Sequence, residues 1–218
     1  MKIIYTLFVF IACVPLWAQE KVDTAKTSYL DEVVVSANKI AEQRRLVAQQ
    51  IQVINQATIP NLNAQTSADL IQNTGQVAMQ RSQQGGGSPM IRGFEASRVL
   101  LVIDGVRMNN AIYRAGHLQN IITMDNNILD RAEVLFGPSS TVYGSDALGG
   151  VVHFMTRNPE LAKEIALNFS GNAFTRFGSA NNEKTGHLDF NLGGTRLGSF
   201  SSFTYSDFAD LRMGEKTN

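Results

Sequence analysis

Arg131-Ala132-Glu133-Val134-Leu135-Phe136-Gly137-Pro138, followed after a short gap by Tyr143-Gly144-Ser145-Asp146-Ala147-Leu148-Gly149-Gly150-Val151-Val152-His153-Phe154-Met155-Thr156, is the stretch on which the fold turns. Arg131 to Phe136 reads as a strand closed by Gly137-Pro138. Val151 to Thr156 reads as a second strand, entered through the glycine-studded passage Tyr143 to Gly150. Upstream, Val99-Leu100-Leu101-Val102-Ile103 is apolar on both parities, which predicts a strand buried on both faces and central in its sheet. It ends at Asp104-Gly105, a tight-turn signal, with Val106-Arg107 returning. Ile51 to Ile54 opens the globular part as a short strand. Thr66-Ser67 offers N-cap hydroxyls to a helix over Ala68 to Asn73, with Gly75 as its stop, and Val77 to Gln80 reads as another strand.

Two connections stand out. Arg81-Ser82-Gln83-Gln84-Gly85-Gly86-Gly87-Ser88-Pro89 has consecutive glycines without a neighbouring Lys or a Walker spacing, so it reads as a flexible loop rather than a phosphate cradle. Met108 to Met124 is long for a connection in a compact domain and holds Asn109, Asn110, Tyr113, Arg114, His117, Gln119 and Asn120. Loops of that length usually carry function.

After Pro159 the texture changes. Ala166 to Phe177, Gly186 to Gly193 and Leu197 to Phe208 are strand-length segments divided by polar turns. In the second, Leu188, Phe190 and Leu192 alternate with His187, Asp189 and Asn191. One apolar and one polar face suit a transmembrane barrel strand, and equally a half-buried strand of a soluble sheet. The sequence leaves both open.

At the other end, Lys2 precedes the apolar run Ile3 to Ala12 and Cys13-Val14-Pro15-Leu16-Trp17-Ala18, a pattern that predicts a secretory signal over residues 1–18. Residues 19–50 read as a polar tail. Within it Asp31-Glu32-Val33-Val34-Val35-Ser36-Ala37 has the β-branched character of a lone strand with nothing local to pair with. Such a segment suits addition to a partner's sheet edge; the alternative is an ordinary first strand of the domain that follows.

Composition narrows the function. The 218 residues carry 19 Lys+Arg against 19 Asp+Glu, a balance that excludes a nucleic-acid binder relying on a basic excess. A single Cys excludes a disulfide framework. Ser139, Asp146 and His153 could be assembled into a triad on paper, but no G-x-S-x-G elbow surrounds Ser139, and the chain is not read as an enzyme.

Together these stretches resemble the TonB-dependent outer-membrane receptors. Asp31 to Ala37 looks like the TonB box. Ile91-Arg92-Gly93-Phe94 with Val99 to Arg107, including Asp104-Gly105, looks like the plug core. Arg131, Glu133, Gly137, Pro138, Tyr143, Gly144, Gly149 and Gly150 look like its most specific stretch. The resemblance implies an α+β plug domain with a small mixed β-sheet and short helices over residues 51–159. It also implies the first antiparallel strands of an incomplete transmembrane β-barrel over 160–218, in a barrel of about 22 strands. It implies TonB of the inner-membrane energising complex as partner, and location in the outer membrane of a Gram-negative bacterium with plug and tail facing the periplasm. The implied cargo is haem or a haem protein first, otherwise cobalamin or a ferric siderophore, with no intrinsic cofactor. Arg81, Ser82, Gln83, Gln84, Asn109, Asn110, Tyr113, Arg114 and His117 are the implied ligand-contacting loop residues. Arg92, Arg131 and Glu133 are expected to form ion pairs with the barrel wall. The competing class is a stand-alone periplasmic binding or signalling module built on the plug.

Overall fold

The computed structural model describes residues 32–81, 86–108, 120–163 and 167–210. The chain enters as β1 (Val33–Val34), turns, and returns as β2 (Glu42–Gln43), with Val33 opposite Gln43 and Val34 opposite Glu42. Next come β3 (Gln50–Asn55) and α1 (Ser67–Gln72). Helix α1 starts where the sequence places it, because Thr66 accepts from the Asp69 amide while the Asp69 carboxylate accepts from the Thr66 amide. Gly75, at φ 76°, lies just past its C-terminal end.

β4 (Ala78–Gln80) pairs antiparallel with β5 (Ser88–Met90). The stretch read as a loop through Pro89 therefore closes a small hairpin, and Pro89 lies within its second strand opposite Met79. β6 (Val99–Ile103) turns at Asp104 (φ 46°) and Gly105 (φ 84°) into β7 (Val106–Arg107). These consecutive positive φ values are what a tight hairpin turn requires. β8 (Leu129–Phe136), the short helix α2 (Ser140–Tyr143) and β9 (Gly150–Thr156) complete the domain.

The main sheet has the order β3-β8-β9-β6-β7, mixed because only β6 and β9 run parallel. β6 is interior, as its apolar run predicts, but the middle place belongs to β9. Alternate residues of β6 feed two separate cores. Val99 and Leu101 pack with Leu70, Ile71, Val134 and Phe154 on one face. Leu100 and Val102 pack with Ile51, Leu135, Tyr143 and Val34 on the other.

β10 (Asn168–Gly178), β11 (Glu183–Gly193) and β12 (Gly198–Asp207) form a separate antiparallel sheet in that order. Its polarity is inverted. Glu183, Thr185, His187, Asp189 and Asn191 of β11 are buried, whereas Lys184, Leu188 and Leu192 of the opposite parity are exposed. Cross-strand partners share a face, so Phe169 opposite Leu192, and Phe203 opposite Leu188, continue the apolar exterior. A half-buried strand of a soluble sheet would hide the leucines instead. Apart from Lys184 and Asp207 at one end, this sheet hides its charges and shows its hydrocarbon.

Candidate functional site

Three regions carry the candidate functional residues. The first is the N-terminal segment. Asp31 lies outside the described residues. Glu32 pairs with Arg44 at 2.7 Å on the surface, and the Arg44 amide donates to the Glu32 carbonyl at 2.8 Å. Val34, Ser36 and Ala37 are buried. The segment is not the unpartnered strand its sequence suggests. The chain reverses between Val35 and Ile40, with Lys39 at φ 60°, so that β2 can pair with β1.

Beyond β1 the segment leaves the ladder and is held by side chains of the main sheet. The Val35 amide donates to both Glu133 carboxylate oxygens (3.2 and 3.0 Å), and the Ser36 amide donates to Oε2 at 2.8 Å. The Tyr143 hydroxyl donates to the Ser36 carbonyl at 2.8 Å. Glu133 is fully buried and lies 3.2 Å from the Arg131 Nε on its own strand. Burial, with the Glu133 charge adding to it, pushes the Tyr143 hydroxyl up to about 12, so it stays protonated and donating. Lys39 sits 4.9 Å above the Tyr143 ring centroid.

Among the described residues, Arg92, Arg131 and Glu133, expected to pair with the barrel wall, meet partners within the plug. Arg131 and Glu133 serve each other and the N-terminal segment. Arg92 (φ 51°) and Gly93 (φ 83°) form a tight turn, and the Arg92 guanidinium donates to Gln50 at 2.7 Å. Gly137 (φ 103°) and Pro138 follow β8, where the Pro138 carbonyl accepts from Gln49. Gly144 (φ 90°) ends α2. Gly149 and Gly150 allow close approach: a Cβ on Gly149 would lie 2.7 Å from the Phe94 Cγ, and one on Gly150 2.5 Å from the Leu135 carbonyl oxygen.

The second region is the interface between main sheet and β10–β12, which sequence reasoning missed. Gln65 donates to Glu183 at 2.6 Å, and Arg176 binds Glu183 at 2.7 Å and the Ala64 carbonyl at 2.9 Å. Arg157 meets Asp189 at 3.0 Å and stacks 4.9 Å from the Phe200 ring centroid. Thr204 donates to Asp125 at 2.5 Å, and His187 lies 2.6 Å from Thr204 and 3.0 Å from Asp189. Asn191 exchanges two hydrogen bonds with the Glu160 backbone, at 2.9 and 3.0 Å. The polar parity of residues 183–191 was the available signal. What it lacked was a reason to place polar side chains inward.

The third region is the loops. Arg81 is tied back to α1, its guanidinium reaching Asp69 at 2.6 Å and Gln72 at 2.5 Å. Ser82, Gln83, Gln84, Asn109, Asn110, Tyr113, Arg114 and His117 lie outside the described residues. The paper triad does not assemble. Asp146 binds Arg107 at 2.7 Å, and His153 Nε2 accepts from the Gly105 amide at 3.2 Å. Among the described residues no group of three or more His, Cys, Asp or Glu could hold a metal ion. Asp104 accepts from the Thr156 amide and hydroxyl at 2.8 and 2.7 Å, fastening the β6–β7 turn to the end of β9.

A mixed sheet with a two-sided core, flanked by a sheet of inverted polarity, is the arrangement of a plug against a barrel wall. Residues 43–151 match the TonB-dependent Receptor Plug Domain. The chain belongs to this family. The matched family is one of TonB-dependent receptors. The vitamin B12 transporter BtuB of Vibrio vulnificus is 35% identical over 129 residues, covering 58% of this chain and 20% of BtuB. The pyoverdine outer-membrane receptor FpvA of Pseudomonas aeruginosa PAO1 superposes with a TM-score of 0.66 at 20% identity, over 85% of this chain and 26% of FpvA. The alcaligin outer-membrane receptor FauA of Bordetella pertussis gives 0.58 at 21% identity, over 80% and 29%. The chain thus spans between a fifth and a third of these relatives' lengths.

Proposed function

We propose that the chain is the N-terminal portion of a TonB-dependent outer-membrane transporter, comprising plug and first barrel strands, that takes up a scarce metal chelate. The observation that carries this reading is the buried polar row of β11 facing the plug while Leu188, Leu192, Phe169 and Phe203 face outward. A stand-alone periplasmic module would have no use for that apolar exterior. In this reading residues 31–37 are the strand offered to TonB, and the plug and tail face the periplasm. In the same reading the loops holding Arg81 to Gln84 and Asn109 to His117 contact the cargo.

Sequence resemblance ranks haem first as cargo. The likeness to a vitamin B12 transporter moves cobalamin ahead of it, with ferric siderophores next because the fold is shared with siderophore receptors. The test is uptake by the full-length receptor in a strain lacking its own importers, supplied in turn with labelled cobalamin, a ferric siderophore and haem. Energised accumulation of cobalamin is the expected outcome. Accumulation that persists unchanged without TonB would refute the transporter reading, and accumulation of haem alone would restore the first ranking.

A further inference from the structure

We propose that His153 is an acid sensor of the plug: taking up a proton turns the nitrogen that holds the Gly105 amide into a donor, and the tip of the β6–β7 hairpin comes away from β9.

The imidazole sits in a row of side chains that crosses one face of the main sheet. Strand register sets Val53, Glu133, His153, Val102 and Arg107 side by side on β3, β8, β9, β6 and β7. His153 is 6% exposed, and its Nε2 accepts from the Gly105 amide at 3.2 Å. A neutral imidazole has one acceptor nitrogen and one donor, so this contact puts the proton on Nδ1. Nδ1 is buried and has no hydrogen-bond partner among the described residues. The ring is therefore committed to a single bond, which exists only while Nε2 is bare. A second proton would set Nε2–H against the Gly105 N–H, donor against donor.

The neighbours decide when that proton arrives. Strand β8 brings Glu133, directly opposite, and Arg131 two residues away. The hairpin turn brings Asp104. Strand β7 brings Arg107, already paired with Asp146 at 2.7 Å. Helix α2 brings the Tyr143 hydroxyl, which stays protonated, and the N-terminal segment brings Lys39 above the Tyr143 ring. Burial holds His153 below its ordinary value of 6.5, Glu133 and Asp104 pull it up, and Arg131 pushes it down. The ring is neutral above that value and charges on its acid side. Glu133 and Asp104 then supply the acceptors that a doubly protonated ring needs.

Release is local. Gly105 is exposed, so its freed amide is taken over by water. The root of the hairpin keeps its own bonds: the Asp104 amide donates to the Phe154 carbonyl at 3.0 Å, and the Met108 amide donates to the Leu101 carbonyl at 2.9 Å.

The test is hydrogen–deuterium exchange at the Gly105 amide of the full-length receptor, read as a protection factor so that the intrinsic pH dependence of exchange divides out. Protection should fall about tenfold between about pH 7.5 and about pH 4.5, the change expected from losing one hydrogen bond, while the amides of β6 keep theirs. His153→Asn retains an acceptor carbonyl without a titrating ring, so its protection should not change with pH. Arg131→Gln removes a cation that disfavours the charged ring and should move the fall to higher pH. That second variant decides the matter should His153→Asn disturb folding. Protection that stays level in the parent overturns the proposal. So does an equal fall in His153→Asn, or a fall left at the same pH in Arg131→Gln.

Discussion

Leu188→Arg places a charge at the middle of the exposed face of β11, the sixth of its 11 residues. At about 3.4 Å per residue the strand is about 37 Å long, and a tilt of about 40° reduces its height to about 28 Å. That matches an apolar band about 25 Å tall and puts Leu188 near its midplane. An arginine there should cost about 2–4 kcal/mol, whereas the same substitution at an exposed position of a soluble sheet should stay within about 0.5 kcal/mol. The two readings therefore differ by at least about tenfold in the folding equilibrium. The assay is urea unfolding of the full-length receptor reconstituted in liposomes, comparing midpoints at constant m-value. Leu192→Arg, tenth in the strand, serves as the depth control and should cost about 0–1 kcal/mol. A shift below about 0.5 kcal/mol for Leu188→Arg, or equal shifts at both positions, would refute the argument that this face meets lipid.

Arg157→Ala should lower plug stability by about 3 kcal/mol, the low end for a broken buried pair, because Asn172 and His187 still hold Asp189; a chevron or melt showing no loss would oppose it. Gly149→Ala drives a methyl into Phe94 and should cost about 1–3 kcal/mol, readable as a lower Tm. Val34→Pro removes a paired amide and adds a rigid ring within a buried site, so energised uptake should vanish while surface binding of cargo survives. Burial holds His153 below its ordinary value of 6.5, against the upward pull of Glu133 and Asp104 and with a smaller downward push from Arg131. Its unfolded form then takes up a proton that its folded form resists, so stability is steady above about pH 6.5 and declines as the pH falls below it. His153→Asn should flatten that acid limb in a pH series of melts.

The parts of this structure that follow from neighbours in sequence were legible there. The Thr66–Asp69 box, the Asp104-Gly105 turn and the two-sided apolar run of β6 each need only a few residues to declare themselves. The parts that depend on distant chain were not. Val35 and Glu133 are 98 residues apart, and nothing near Asp31 to Ala37 announces a carboxylate waiting on β8. The same limit left the alternation in 183–193 ambiguous. Its period declares a strand with two unlike faces, but which face is inside depends on what the sheet surrounds. The Arg131–Glu133 pair escaped the sequence for a related reason: charges at strand positions suggest an outward partner, whereas these two find each other two residues apart on one strand.

The buried polar row of β11 has a mechanical consequence. Contacts such as Gln65–Glu183, Asp125–Thr204 and the Glu160 backbone with Asn191 are of the kind water also makes, so each can be exchanged for hydration at a net cost of about 0.5–3 kcal/mol, the carboxylate contacts at the upper end. An oily seam between two such bodies would resist separation in proportion to its whole area. This joint instead admits water as it opens, wetting both surfaces as they part, and behaves as a lubricated bearing rather than a weld.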